Sequence, residues 1–283
     1  MEWAPTRRLT GKTALISSVI AMARKEFTIM TRYPVEFIAS FGQIFAIVAI
    51  FTLAGLTFAS SPENFGGGSA AGVVIYGFML FLFLSDTLWT IGYNIRREQK
   101  QGTLEALYLS PASKFASLIS RVTNSLLWTS LLSVAGVWLM TSMIGELPFA
   151  NPLLALYLLI MALSGTFGIG FAFAAVTLRI KETGQSLANV LQFVFLILCA
   201  NFFPFSALPA GLLAISKVIP LAYAVDAFRS TLMDYPAGFP ELAPIEVEIV
   251  ITTLFGVLMP LIGYFWYRAS EKHVRRSGGL AEY

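Results

Sequence analysis

Charge is what this sequence most lacks. Only 12% of its 283 residues are charged, about half the share of a soluble domain. With 57% hydrophobic residues and a mean hydropathy of +0.73, a water-soluble fold of this length would not have enough polar surface. The solvent it implies is lipid, and the length suits a single transmembrane domain. Cysteine and histidine are nearly absent as well. The lone Cys199 sits in an apolar run, which excludes a disulfide framework or a cysteine metal site. With His273 as the one histidine, histidine metal clusters and Ser-His-Asp or Cys-His nucleophile systems are also excluded. A net charge of +3 gives no reason to expect nucleic acid. The polar stretch 1–12, and the absence of a small-residue cleavage site after a short apolar core, argue against a cleavable signal peptide.

What the chain does have is long apolar runs. A bilayer-spanning helix needs roughly 20 mainly apolar residues. Runs at Val35–Ala59, Ala70–Tyr93, Phe115–Ile144, Pro152–Leu178, Ser186–Phe203 and Val247–Tyr267 predict about six spans by that criterion. They do not alternate in polarity, so helices rather than barrel strands are expected, and the fold class is all-α and polytopic.

Lys and Arg set the orientation. They cluster in the N-terminal arm (Arg7, Arg8, Lys12, Arg24, Lys25, Arg32), after the second span (Arg96, Arg97, Lys100, Lys114), after the fourth (Arg179, Lys181), and in the tail (Arg268, Lys272, Arg275, Arg276). The opposite loops, 60–69 and 145–151, carry only Glu63 and Glu146. The expectation is a multi-pass protein of the cell membrane with both termini cytoplasmic. Its organisation reads as a cytoplasmic arm (1–34), a transmembrane domain (35–267) and a cytoplasmic tail (268–283).

Three connections are unusual. Residues 13–31 place Leu15, Ile16, Val19, Ile20, Met22, Phe27 and Met30 near helical spacing opposite Arg24 and Lys25. This reads as an amphipathic interfacial helix stopped by Pro34. Residues 96–112 form a polar cytoplasmic loop in which Leu104, Leu107 and Tyr108 share a face. Residues 204–244, on the outer side, are too apolar for a free loop and too short to span, which suggests a re-entrant helical hairpin with Pro209 and Pro220 closing its ends as caps.

Two glycine motifs imitate nucleotide loops. Gly11-Lys12-Thr13 lacks the glycine a phosphate loop needs at position 6, which is Thr6, and no strand precedes it. Gly165-Thr166-Phe167-Gly168-Ile169-Gly170 lies inside an apolar span, where small residues let helix backbones approach. Among polar residues within spans, Asp86 and Arg121 fall at similar depth on consecutive helices. They read either as a polar spot on a translocation path or as a structural pair. Gln43, Asn124, Asn189, Gln192 and Asn201 either join helices or line a path. Asp226 and Arg229, three apart, share a helix face, and a local salt bridge is the simplest reading.

Two segments carry a family resemblance. Arg97-Glu98-Gln99-Lys100-Gln101-Gly102-Thr103-Leu104-Glu105-Ala106-Leu107, followed by Ser110-Pro111, resembles the R-E-x-x-x-G-T-L-E-x-L…[S/T]-P stretch of type-2 ABC transporter permeases. Phe202-Phe203-Pro204, Leu208-Pro209 and then Pro220-Leu221-Ala222-Tyr223-Ala224-Val225-Asp226-Ala227-Phe228-Arg229 are similar to that family's later P-L-T-Y-x-x-D-x-x-R segment. Two positions depart from the pattern: Ala200-Asn201 stands where Ser-Gly is common, and Ala222 where threonine is.

The resemblance implies a dimeric exporter core, read as a homodimer, docked on ATP-binding subunits. This chain would bind no cofactor, with ATP and Mg held by the partner. It further implies that Glu98, Gly102, Thr103, Leu104, Glu105 and Leu107, with Tyr108 beside them, form a coupling helix. The turn with Arg179, Lys181 and Glu182 would make a smaller ATPase contact. Phe203, Pro204, Pro209, Pro220, Tyr223, Asp226 and Arg229 would belong to an outer gate, and membrane lipids are the remaining partner. Two other classes fit the residues less well. An ion-coupled secondary transporter would need midplane acids and inverted repeats, and a membrane-embedded enzyme would need paired acids, a metal cluster or an activated nucleophile.

Overall fold

A computed structural model describes residues 70–93, 126–138, 148–178 and 184–276, with isolated helical positions at 20, 28, 32, 35, 38–39, 42, 45–46, 49–50 and 141–142. Among them there is no strand. The helices are α1 (Ala70–Thr87), α2 (Leu126–Trp138), α3 (Pro152–Thr177), α4 (Gly184–Leu198), α5 (Ala210–Ser216), α6 (Pro220–Leu232) and α7 (Ile245–Arg276). A π-helical turn, Leu88–Tyr93, extends α1, and a 3-10 turn, Phe205–Ala207, precedes α5.

Of these helices α1, α3 and α7 are long and apolar enough to cross a bilayer. The expected runs at 70–93 and 152–178 match α1 with its π turn, and α3, to within a residue. α3 opens on Pro152 in its first turn, where the missing N–H has no intrahelical partner to lose. α7 runs beyond its expected end at Tyr267 to Arg276. Its exposed stripe of Val250, Leu254, Val257, Leu261 and Phe265 repeats every three or four residues and is wholly apolar. Water would be a poor neighbour for that face, and hydrocarbon a good one.

Two expected boundaries move. The run expected as one helix to Phe203 ends at Leu198, although the sequence stays apolar. Ala200 adopts a positive φ of 45°, and the Asn201 side chain donates to the carbonyls of Phe195 (3.0 Å) and Leu196 (3.4 Å), satisfying the helix end. Nor does Pro220 close the segment begun at Pro209. Pro209 caps the start of α5, Pro220 opens α6, and the two helices meet at 94°. A proline needs no backbone partner in a first helical turn, so both prolines start helices rather than end them.

α1 is buried around most of its circumference, with Met79, Leu82, Ser85 and Asp86 partly exposed. Val73, Tyr76, Leu80 and Leu84 pack into the main core with Leu158, Val225 and Phe228, while Val74, Ile75, Phe78 and Phe81 form a second cluster with Phe202. α3 lies along α7 with backbones in direct contact. A β-carbon added at Gly168 would sit 2.3 Å from the Met259 carbonyl carbon, and one at Gly263 2.2 Å from the Gly168 carbonyl oxygen. Only glycine permits that approach, and the glycine run in the fourth expected span is therefore a packing motif. Neutral hydroxyls supplement it: Ser164 donates to the Gly256 carbonyl (2.7 Å), and Tyr157 pairs with Thr253 (2.7 Å).

Candidate functional site

α6 is the most deeply buried helix that also carries charge. From Ala224 to Leu232 every residue is buried, Asp226 and Arg229 included. An unpaired ion there would be expensive, so the surroundings must satisfy it. They do so completely. Arg229 donates from Nε and Nη2 to Asp226 Oδ1 (3.2 and 3.1 Å), from Nη1 to the carbonyls of Ala200 (3.2 Å) and Phe203 (3.1 Å), and from Nη2 to Glu241 Oε1 (2.8 Å). That uses the full donor fork of a guanidinium. The rings of Phe205 and Phe239 lie 4.9 and 5.3 Å from its central carbon, within cation–π range.

The acids are engaged on their far sides. Asp226 Oδ2 accepts the backbone N–H groups of Glu241 (2.7 Å) and Leu242 (2.9 Å). Glu241 accepts those of Phe205 (2.8 Å) and Ser206 (2.7 Å), and so holds the 3-10 turn. Glu248, in the first turn of α7, is fully buried. One of its oxygens accepts the Ala243 N–H (3.1 Å), and the other has no hydrogen-bond partner. The result is a knot tying three separate segments to α6, namely the turn after α4, the 3-10 turn and the chain before α7, with Glu248 fastening the start of α7 to the last of them.

Of the sequence-derived outer-gate residues, Phe203, Asp226 and Arg229 meet in the knot and Pro204 borders it, whereas Pro209, Pro220 and Tyr223 stand at the ends and corner of α5. Phe203 lends its carbonyl to Arg229, Pro204 caps the 3-10 turn, and Pro209 and Pro220 bracket α5. Tyr223 donates to the Lys217 carbonyl (2.8 Å), pinning the α5–α6 corner. The Asp226–Arg229 salt bridge forms as expected, but its reach is wider than local. Glu241 and Glu248 escaped sequence reasoning. The available signal was their position: acids standing in apolar surroundings in a chain with few acids.

The intramembrane polar residues behave differently. Asp86 accepts from Thr129 on α2 (2.9 Å) and from Thr90 (3.2 Å), and Gln192 on α4 accepts the Trp89 indole N–H (3.0 Å). The Asp86–Thr129 bond ties α1 to α2, and the Trp89–Gln192 bond ties the π turn to α4. Asn201 caps α4, and Asn189 is exposed on α4 beside Val190 and Phe193. Arg121, Gln43, Asn124, the coupling residues Glu98 to Tyr108, and Arg179, Lys181 and Glu182 lie outside the described residues, as do the N-terminal interfacial helix apart from positions 20 and 28 and the tail beyond Arg276.

Chemically the knot holds; it has no nucleophile poised to react. Among the described residues no group of histidine, cysteine and acidic side chains could bind a metal ion. Every donor on Arg229 is already taken by the protein itself.

No curated protein matches the chain. The family model described as ABC-2 type transporter matches residues 17–233, a stretch that covers α1 through α6 and includes Asp226 and Arg229. Membership in that family implies association with an ABC ATPase subunit. With well over half its length matched, the chain belongs to the ABC-2 type transporter membrane family, a transport permease component rather than an enzyme.

Proposed function

We propose that this chain is the permease subunit of an ATP-driven exporter, moving a hydrophobic, amphipathic or lipid-linked substrate out of the cytoplasm. A separate ATPase subunit, which holds ATP and Mg, supplies the force. Two copies of the chain form the membrane core, with both termini in the cytoplasm of a cell-membrane protein. The observation carrying this reading is the family match together with the polar loop at 96–112, in which Glu98 precedes and Glu105 separates the apolar residues Leu104 and Leu107. Transport against a gradient needs a two-state element biased by an energy source. A loop that buries a few leucines and a tyrosine against a partner can transmit such a bias.

In this reading the segment 204–244 is the outer re-entrant gate, and the knot on Arg229 is its rigid anchor. The 94° bend between α5 and α6 supports a chain that enters the bilayer and turns back. The apolar, aromatic-rich spans favour an amphipathic cargo.

The test is co-reconstitution with the ATPase subunit. Glu98→Lys with Glu105→Lys should leave membrane insertion intact and lower transport-coupled hydrolysis by at least about tenfold. Undiminished transport in that double variant would remove the coupling assignment, and transport without any ATPase would remove the exporter reading.

A further inference from the structure

Between α1, α2, α3 and α6 lies a cavity of about 550 Å³ that the transport reading does not use. Its back wall includes Ala155 and Phe228, both buried. Its rim is Val134 and Trp138 on α2, Phe149 before α3, and Leu156 on α3, each more than half exposed. The lining carries no charged residue. The hydroxyls of Tyr76 and Thr141 on its wall already donate to the carbonyls of Pro148 and Trp138, and the remaining wall hydroxyl, that of Ser133, is buried without a partner.

The cavity is closed at one end and open at the side. The connection before α3 is fastened across its end: Tyr76 bonds to the Pro148 carbonyl, and the Ala150 N–H donates to the Leu232 carbonyl at the end of α6 (3.0 Å). The mouth opens sideways between α2 and α3. There the neighbouring exposed residues, Leu127 and Leu131 on α2 and Leu153 and Ile160 on α3, are apolar. In a membrane-spanning helix that surface faces hydrocarbon. Trp138 at the rim is the residue type that settles at the membrane–water boundary.

We propose that this cavity holds the acyl chain of a bilayer phospholipid, inserted sideways between α2 and α3 with its headgroup at the level of Trp138. Three physical arguments support that occupant. The wall offers water one unpartnered hydroxyl, that of Ser133, where a buried water needs roughly two to four polar partners. Left empty, the cavity would forfeit the dispersion contacts of its lining. The surrounding medium supplies hydrocarbon at high concentration and no competitor of comparable fit. Its size agrees: about 550 Å³ leaves room for many water-sized groups in line. A seated chain touches Phe228, the neighbour of Arg229 on α6.

The test uses the full chain in phosphatidylglycerol vesicles doped with a phosphatidylcholine carrying a diazirine at the end of one acyl chain. After photolysis, labelled residues are mapped by mass spectrometry. Lipid that merely surrounds the protein reaches the rim and the exposed stripe of α7, but not buried Phe228 or Leu232. The expected result is labelling of Phe228 and Leu232. In Ala155→Phe, which fills the back of the cavity, and separately in Leu156→Trp, which narrows its mouth, that labelling should fall at least about tenfold while α7 labelling is unchanged. Leu156 is exposed, so that variant decides the matter even if Ala155→Phe fails to fold. Labelling confined to the rim and α7, or deep labelling indifferent to Leu156→Trp, would overturn the proposal. A cross-link joining the Trp138 regions of two copies would also overturn it, by giving the mouth to a second protomer.

Discussion

α6, buried along most of its length, and α3, buried mainly in its second half, belong to one bundle, and they are held by opposite means. Around α6 the contacts are ionic and long in reach: Arg229 and Asp226 collect partners from residues 200 to 242. Along α3 the contact with α7 is close backbone packing, permitted by Gly165, Gly168, Gly256 and Gly263 and supplemented by neutral hydroxyls. The difference follows from what each helix must neighbour. α3 meets another regular helix, and in lipid two regular helices associate through close packing rather than water exclusion. α6 meets turns and short connections, whose backbone groups lack helix partners and need donors and acceptors brought to them.

This contrast can be broken from either side, and the ionic side should break harder. Arg229→Met leaves Asp226 and Glu241 as buried carboxylates without their cation and frees the Ala200 and Phe203 carbonyls. A loss of about 3–5 kcal/mol is expected, read as a fall in thermal unfolding temperature in detergent. Adding Asp226→Asn and Glu241→Gln to that variant should recover part of the loss, because the stranded charges go with the cation. If the single change cost less than about 1 kcal/mol, the knot would be ornamental.

Next comes the glycine seam. Gly168→Leu forces a side chain into the Met259–Pro260 backbone and should cost about 1–3 kcal/mol by pushing α3 from α7, in the same unfolding assay. An unchanged unfolding temperature would mean the helices do not meet there. A smaller effect is expected at the polar tie nearer the π turn. Gln192→Leu removes one acceptor from Trp89 and should cost about 1 kcal/mol, visible also as a shift in tryptophan emission. The smallest change should carry the opposite sign. Gly136 on α2 has open space where a β-carbon would go, so Gly136→Ala should stabilise the helix by up to about 1 kcal/mol. Destabilisation there would show that a neighbour covers that face of α2.

How much of this could be read from the sequence varies with the physics behind each feature. The extents of α1 and α3 were legible because a hydrophobic run of bilayer length has one solution, a helix. The end of α4 was not, because Cys199, Phe202 and Phe203 are as apolar as the helix before them. Hydropathy cannot see a side-chain cap such as Asn201. The Asp226–Arg229 pair followed from helical spacing. Glu241 and Glu248 did not, since their place beside Arg229 depends on the chain turning back after α6. Spacing along one helix carries no information about that return.

One contact has a mechanical consequence. A β-carbon added at Gly77, midway along α1, would fall 2.1 Å from the carbonyl oxygen of Asn201, so main chain rests on main chain there. Neither surface has a side chain to bend out of the way. If α1 slides or tilts, the turn at Asn201 must either ride with it or lift off. One residue earlier in that turn, Ala200 offers Arg229 its carbonyl. Whatever displaces α1 thus pulls on α6 through a linkage with almost no slack.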